Sequence, residues 1–147
     1  MRTRTGLLAL AVLATVLCGC SGAGNPSASS ASKADQVGVT LQDFKLTTST
    51  VHVPAGKVTF DVTNNGPSTH EFNVDRTNLA ADKLPIDSTG LFVAEDSPLL
   101  NRQGSVESAA LGTRHKLTLN LAPGTYVVYC DLEGHYLSGM HVTIDVT

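Results

Sequence analysis

The stretch that most constrains the fold runs from Tyr126 to Val146, where two apolar segments flank a short loop. Tyr126, Val128 and Cys130 share one face of an alternating strand, and Val127 and Tyr129 make its other face apolar too. A strand apolar on both faces is predicted to be central in its sheet. After the loop, Met140, Val142, Ile144 and Val146 share one face, opposite His141, Thr143 and Asp145. The pleat therefore points both Cys130 and Met140 inward, one at each end of the loop. His135 lies between them, so the loop reads C-x4-H-x4-M.

The upstream chain has the same period of two. Val37, Val39 and Leu41 alternate with small or polar neighbours, Val51 and Val53 flank His52, and Val58, Phe60 and Val62 alternate with Thr59 and Asp61. His70, Phe72 and Val74 share one face, as do His115, Leu117, Leu119 and Leu121. Pro54-Ala55-Gly56, Asn64-Asn65-Gly66-Pro67 and Ala122-Pro123-Gly124 supply turns. Short alternating runs with this punctuation predict an all-β antiparallel sandwich or barrel. Residues 76–113 are less regular. Thr77-Asn78 is expected to cap a short helix through Lys83, stopped before Pro85, and Leu91-Phe92-Val93 to form a short strand. No chemistry is assigned to this segment.

The ends of the chain read differently. Arg2 and Arg4 precede an apolar run from Gly6 to Leu17, the pattern of an export signal. Leu17-Cys18-Gly19-Cys20 resembles the lipobox of bacterial lipoproteins, which implies a signal peptide over residues 1–19 and lipidation of Cys20 as the first mature residue. Residues 20–36 are rich in Ser, Ala and Gly and read as a flexible tether, with a coil dimension of about 20 Å. Residues 37–147 remain for the folded domain, enough for one core. Loss of Arg2 and Arg4 takes Lys+Arg from 10 to 8 against 13 acids. That mild acidity and the absence of a basic cluster exclude a nucleic-acid surface and weakly favour a partner with a basic face.

The three cysteines sharpen the chemistry. Cys18 leaves with the signal and Cys20 carries lipid, so Cys130 stands alone in an oxidising compartment. Ligation would protect such a thiolate from oxidation. The available partners are His135, Met140 and the remote His70, which follows an Asn64-x-Gly66 turn. Two His, one Cys and a weak axial Met form the donor set of a blue-copper centre. A buried inert thiol and a core-filling methionine are each plausible alone, but together they leave the spacing unexplained.

These residues resemble the cupredoxins, the small blue type 1 copper proteins of the plastocyanin, azurin and rusticyanin group. The resemblance is carried by Asn64-x-Gly66-x3-His70, the strand Pro123 to Cys130, Gly134-His135 and Gly139-Met140. It implies a Greek-key β-sandwich with one copper per chain. His70, Cys130 and His135 would be its equatorial ligands and Met140 its axial one. It further implies a monomeric single-electron carrier, not an enzyme, which the lipobox resemblance would anchor by lipid outside the bacterial cytoplasmic membrane. A redox protein would dock near His135, on a patch formed with Leu132, Tyr136, Leu137 and Pro67.

Two positions depart from the family pattern. Glu71 stands where an Asn is common, and an ionised carboxylate cannot donate a hydrogen bond. His141 replaces a Gly after the Met. His52 and His141 are expected to be solvated. A hairpin centred near Pro123 would bring residue 115 or 116 opposite Cys130, and His115 near the copper end. The alternative function is a copper carrier that binds Cu(I) without redox cycling. A copper enzyme would need an open coordination position or further copper sites, and an adhesion sandwich would not need the three loop residues together.

Overall fold

The computed structural model describes residues 35–147. The expected signal peptide, Cys20 and the tether as far as residue 34 lie outside the described residues. The strands are β1 (Asp35–Gln42), β2 (Lys45–Thr48), β3 (His52–Val53), β4 (Gly56–Asn64), β5 (His70–Arg76), β6 (Asn101–Ala109), β7 (Arg114–Leu121), β8 (Gly124–Tyr129) and β9 (His141–Val146). They form two sheets, ordered β2-β1-β4-β7 and β3-β9-β8-β5-β6. Both sheets are mixed: β1 runs parallel to β4 and β3 parallel to β9, while the remaining pairs are antiparallel. No helix among the described residues is long and apolar enough to cross a membrane.

The alternation read from the sequence is what fills the space between the sheets. Val37, Val39, Leu41, Val58, Phe60 and Val62 come from one sheet, and Phe72, Val74, Tyr126, Val128, Ile144 and Val146 from the other. Cys130 and Met140 belong to the same buried cluster. Each fully buried large apolar side chain contributes about 1.5–3 kcal/mol. The central position expected for β8 holds, since it pairs with both β5 and β9.

Three local expectations are corrected. First, β7 and β8 do not form a hairpin. After Leu121 the chain crosses between sheets: β7 pairs with β4 in the first sheet, where His115 lies opposite Val62, and β8 pairs with β5 and β9 in the second. His115 bonds Thr113 through Nε2 at 3.0 Å and takes no part in the cluster around Cys130. Second, the helix expected from Thr77 to Lys83 reduces to one 3-10 turn, Ala81–Lys83. Third, the strand expected at 91–93 is a single bridge, Ile86 to Val93.

Residues 79–100 instead cover the outer face of the five-stranded sheet. Leu84 and Val93 are buried against Val127, Tyr129 and Tyr136, with Leu79, Ala81, Ile86 and Leu100 packed around them. Beneath the cover, Asp75 sits on β5 with its side chain 1% exposed. It accepts hydrogen bonds from the Tyr129 hydroxyl at 2.8 Å and Arg102 Nε at 3.1 Å. Arg102 also donates to Asn73 Oδ1 at 3.0 Å and pairs with Glu95. Burial, and then the neighbouring Asp75 carboxylate, push the Tyr129 phenol well up, so it stays a donor at neutral pH.

Candidate metal centre

Four segments meet at one end of the sandwich. Cys130 follows the last residue of β8, and Met140 precedes the first of β9. The two ends of their loop are joined by the Cys130 amide, which donates to the Met140 carbonyl at 3.0 Å. Inside the loop the His135 amide donates to the Leu132 carbonyl at 2.8 Å and the Met140 amide to the His135 carbonyl at 3.2 Å. Gly139, at φ 100°, makes the reversal before Met140 in a region that side-chain-bearing residues avoid.

His70 opens β5 and is held from upstream. Fully buried Asn64 organises the turn: its Oδ1 accepts from the Gly66 amide at 2.8 Å, and its Nδ2 donates to the carbonyls of Ser68 and Ala109, both at 2.7 Å. Gly66 is required by close approach, since a Cβ there would sit 2.9 Å from the Asp43 amide nitrogen and 3.0 Å from the Gln42 Cα. The Asn64-x-Gly66-x3-His70 spacing is thus the covalent record of a turn that aims one imidazole.

The donors converge. Among the described residues, one potential ligand atom from each of His70, Cys130 and His135 lies within 4.8 Å of the other two. Cys130 Sγ is 3.8 Å from His70 Nδ1 and 3.6 Å from His135 Nδ1. With bonds of about 2.0 Å to imidazole and 2.3 Å to thiolate, a trigonal first-row ion separates its N and S donors by about 3.7 Å. His70, Cys130 and Met140 are fully buried and His135 is half-buried. Two imidazoles and one thiolate with a buried methionine beside them are a donor set that suits copper better than a tetrahedral zinc site. The residues therefore fit one copper ion.

The surroundings set the ligands' protonation. Burial, then the neighbouring His135, lower the pKa of His70 against the opposing pull of Asp43, so the ring is neutral near pH 7, as a ligand must be. Burial raises the Cys130 thiol, although amides of Glu71 and Leu132 stabilise its charge. A thiol that binds a metal gives up its proton to solvent as the metal takes its place, so this thiol is shielded until it is ligated. The Glu71 amide donates to Sγ at 3.4 Å. The bond to sulfur comes from the backbone, so a carboxylate at position 71 does not remove it.

The patch expected around His135 is partly redrawn. Leu137 and Pro67 are exposed. Tyr136, by contrast, is only 3% exposed: its ring packs against Tyr129 and its hydroxyl is held between the Ala81 carbonyl and the Leu84 amide, both at 2.8 Å. Leu132 packs on the core. The exposed aromatic beside His135 is Phe44, with ring centroids 5.3 Å apart. Sequence reasoning missed both Phe44 and Asp43, which lie in a two-residue turn far along the chain from the ligand loop. The only hint was an aromatic out of phase between Leu41 and Leu46. His52 is exposed as expected, whereas His141 is half-buried with its ring 5.1 Å from that of Tyr136.

A family model described as a cupredoxin-like domain matches residues 7–143. Among solved structures, dithionite-reduced auracyanin from Roseiflexus castenholzii is 19% identical, with a TM-score of 0.58 over 78% of this chain and 98% of its own. Auracyanin A, a "blue" copper protein from Chloroflexus aurantiacus, is 18% identical, with a TM-score of 0.53 over 78% of this chain and 100% of its own. Reduced rusticyanin is 18% identical, with a TM-score of 0.51 over 78% of this chain and 81% of its own. Comparison with curated protein sequences returned no match. The matched family model and the two-sheet architecture agree, and the chain belongs to the cupredoxin-like family.

Proposed function

We propose that this protein carries single electrons between redox partners outside the cytoplasmic membrane. In this reading one copper is held by His70, Cys130 and His135, with Met140 as a weak axial donor, and the domain is anchored through lipid on Cys20. The observation that carries the proposal is the pair of sulfur–nitrogen separations, 3.8 and 3.6 Å, close to those of donors on one trigonal ion. Copper supplies one-electron chemistry through its Cu(I) and Cu(II) states.

The chain's part is to hold its donors still and keep water away. Donors fixed by strand ends and a hydrogen-bonded loop need little rearrangement when charge changes, and that lowers the barrier to electron exchange. Burial of His70, Cys130 and Met140 also disfavours handing the ion on, which is what a copper carrier requires. Partner contact falls at the half-buried His135, where exposed Phe44, Leu137 and Pro67 form a small apolar surface suited to brief encounters. The acidic balance of the chain favours a basic surface on that partner.

The test is the visible absorption and EPR spectrum of the full-length chain after addition of Cu(II), beside Cys130→Ser. An intense thiolate-to-copper band, absent from the variant, is expected. A colourless protein that holds Cu(I) tightly would replace electron transfer by copper trafficking, and no copper binding in either state would overturn the proposal.

A further inference from the structure

The turn between β1 and β2 is two residues long, Asp43-Phe44, and it touches both imidazoles of the metal centre. The Asp43 carboxylate lies 3.1 Å from His70 Nε2, the ring nitrogen facing away from Cys130. Ser68 secures that carboxylate twice, its amide donating to Oδ1 at 3.3 Å and its hydroxyl to Oδ2 at 3.1 Å. The turn is also tied to the His70 loop through the backbone, where the Asn65 amide donates to the Leu41 carbonyl at 2.8 Å. Phe44 presents an edge-type contact to His135, with the planes at 67°.

Phe44 is not placed there by packing or by backbone preference. Its side chain is 58% exposed, and it is the one non-glycine residue among the described residues with positive φ, at 60°. A two-residue hairpin turn with positive φ ordinarily carries Gly or Asn. A strained, exposed aromatic held against a candidate ligand marks a functional constraint.

We propose that this turn is the outer brace of the metal centre, with Asp43 the positioning residue for His70 and Phe44 the positioning residue for His135. The inference rests on the copper-site reading above. A proton held on Nε2 by Asp43 leaves the Nδ1 lone pair directed at the cavity beside Cys130, so the tautomer is fixed before any metal arrives. The negative charge behind His70 also favours the more highly charged metal state, which lowers the reduction potential. The Phe44 ring restricts rotation of His135, the ligand that is least buried.

The experiment uses the full-length chain and the variants Asp43→Asn, Asp43→Ala and Phe44→Gly. Imidazole nitrogen NMR of the copper-free protein reads the tautomer. Wild type and Asp43→Asn are expected to show His70 protonated at Nε2 alone, and Asp43→Ala a mixture. In the copper-loaded protein Asp43→Asn is expected to raise the reduction potential, since it keeps an acceptor and removes the charge. Phe44→Gly relieves the backbone strain, so a purely structural role predicts an unchanged spectrum and an unchanged or higher Tm. The brace predicts that same Tm behaviour together with a heterogeneous EPR spectrum from a loosened His135. An unmixed Nε2–H tautomer in Asp43→Ala, an unshifted potential in Asp43→Asn or a single wild-type EPR spectrum in Phe44→Gly would each overturn the part concerned. Absence of the thiolate band from wild type would instead defeat the copper reading, and the copper-free NMR would still decide the role of Asp43.

Discussion

The ligand loop, Cys130 to Met140, and the cover segment, residues 79–100, lie against each other yet are written in different ways. The loop carries its chemistry in single residues at fixed spacing, between strands whose parity shows where each side chain points. The cover has no period. The apolar residues that pack there, Leu79, Ala81, Leu84, Ile86, Val93 and Leu100, are scattered among polar and exposed ones, and they find the outer face of the sheet one at a time. Nevertheless the cover holds the loop. It donates the Val93 amide to Asp131 Oδ1 at 2.7 Å, accepts the Gly134 amide at the Leu91 carbonyl at 3.1 Å, and clasps the Tyr136 hydroxyl. Burial pushes the Asp131 carboxyl up to about 6, against the Val93 amide, which stabilises its charged form. The loop makes the site and the cover keeps the loop's shape, so the two should fail differently.

The sharpest contrast is between His135→Ala and Leu84→Ala. His135→Ala removes a proposed ligand that is half-buried, so the intense copper band should vanish while the urea midpoint of the copper-free chain hardly moves. Leu84→Ala empties a buried site under the cover and should cost about 2–5 kcal/mol in urea unfolding, with the band retained in the folded fraction. If both variants lost stability equally, the division between site and cover would be wrong.

Tyr136→Phe acts on the boundary between the two. It keeps the ring against Tyr129 but removes the hydroxyl that receives the buried Leu84 amide. An unpartnered buried amide costs about 1–3 kcal/mol. Hydrogen exchange should show faster opening confined to the cover and the loop. The smallest effect is expected for Glu71→Asn. Because the backbone amide, not the side chain, bonds Cys130 Sγ, the visible spectrum should stay as in wild type. A shifted band would give the side chain a part in the site.

The same contrast explains what could be read in advance. The inner faces of β4, β5, β8 and β9 were legible because each strand buries one face and must alternate. The convergence of His70, Cys130 and His135 was legible because few residue types ligate copper. Edge strand β6 was missed: its residues are half-buried and mostly polar, and its pairing with β5 shifts register between His70 and Phe72 and again between Val74 and Asp75. The crossing after Leu121 was misread as a hairpin because Ala122-Pro123-Gly124 signals a turn without saying which sheet follows. Asp43 was invisible for a simpler reason, since nothing in its neighbourhood records a histidine 27 residues downstream.

The central claim is that these donors stay in place while one electron comes and goes. It is tested most directly by a redox titration of the copper-loaded full-length chain, followed through the thiolate-to-copper band. The expected result is a reversible one-electron curve, with the band fully restored on reoxidation and no copper lost to a Cu(I) chelator. Irreversible bleaching with release of copper on reduction would contradict it and make the protein a carrier of the ion.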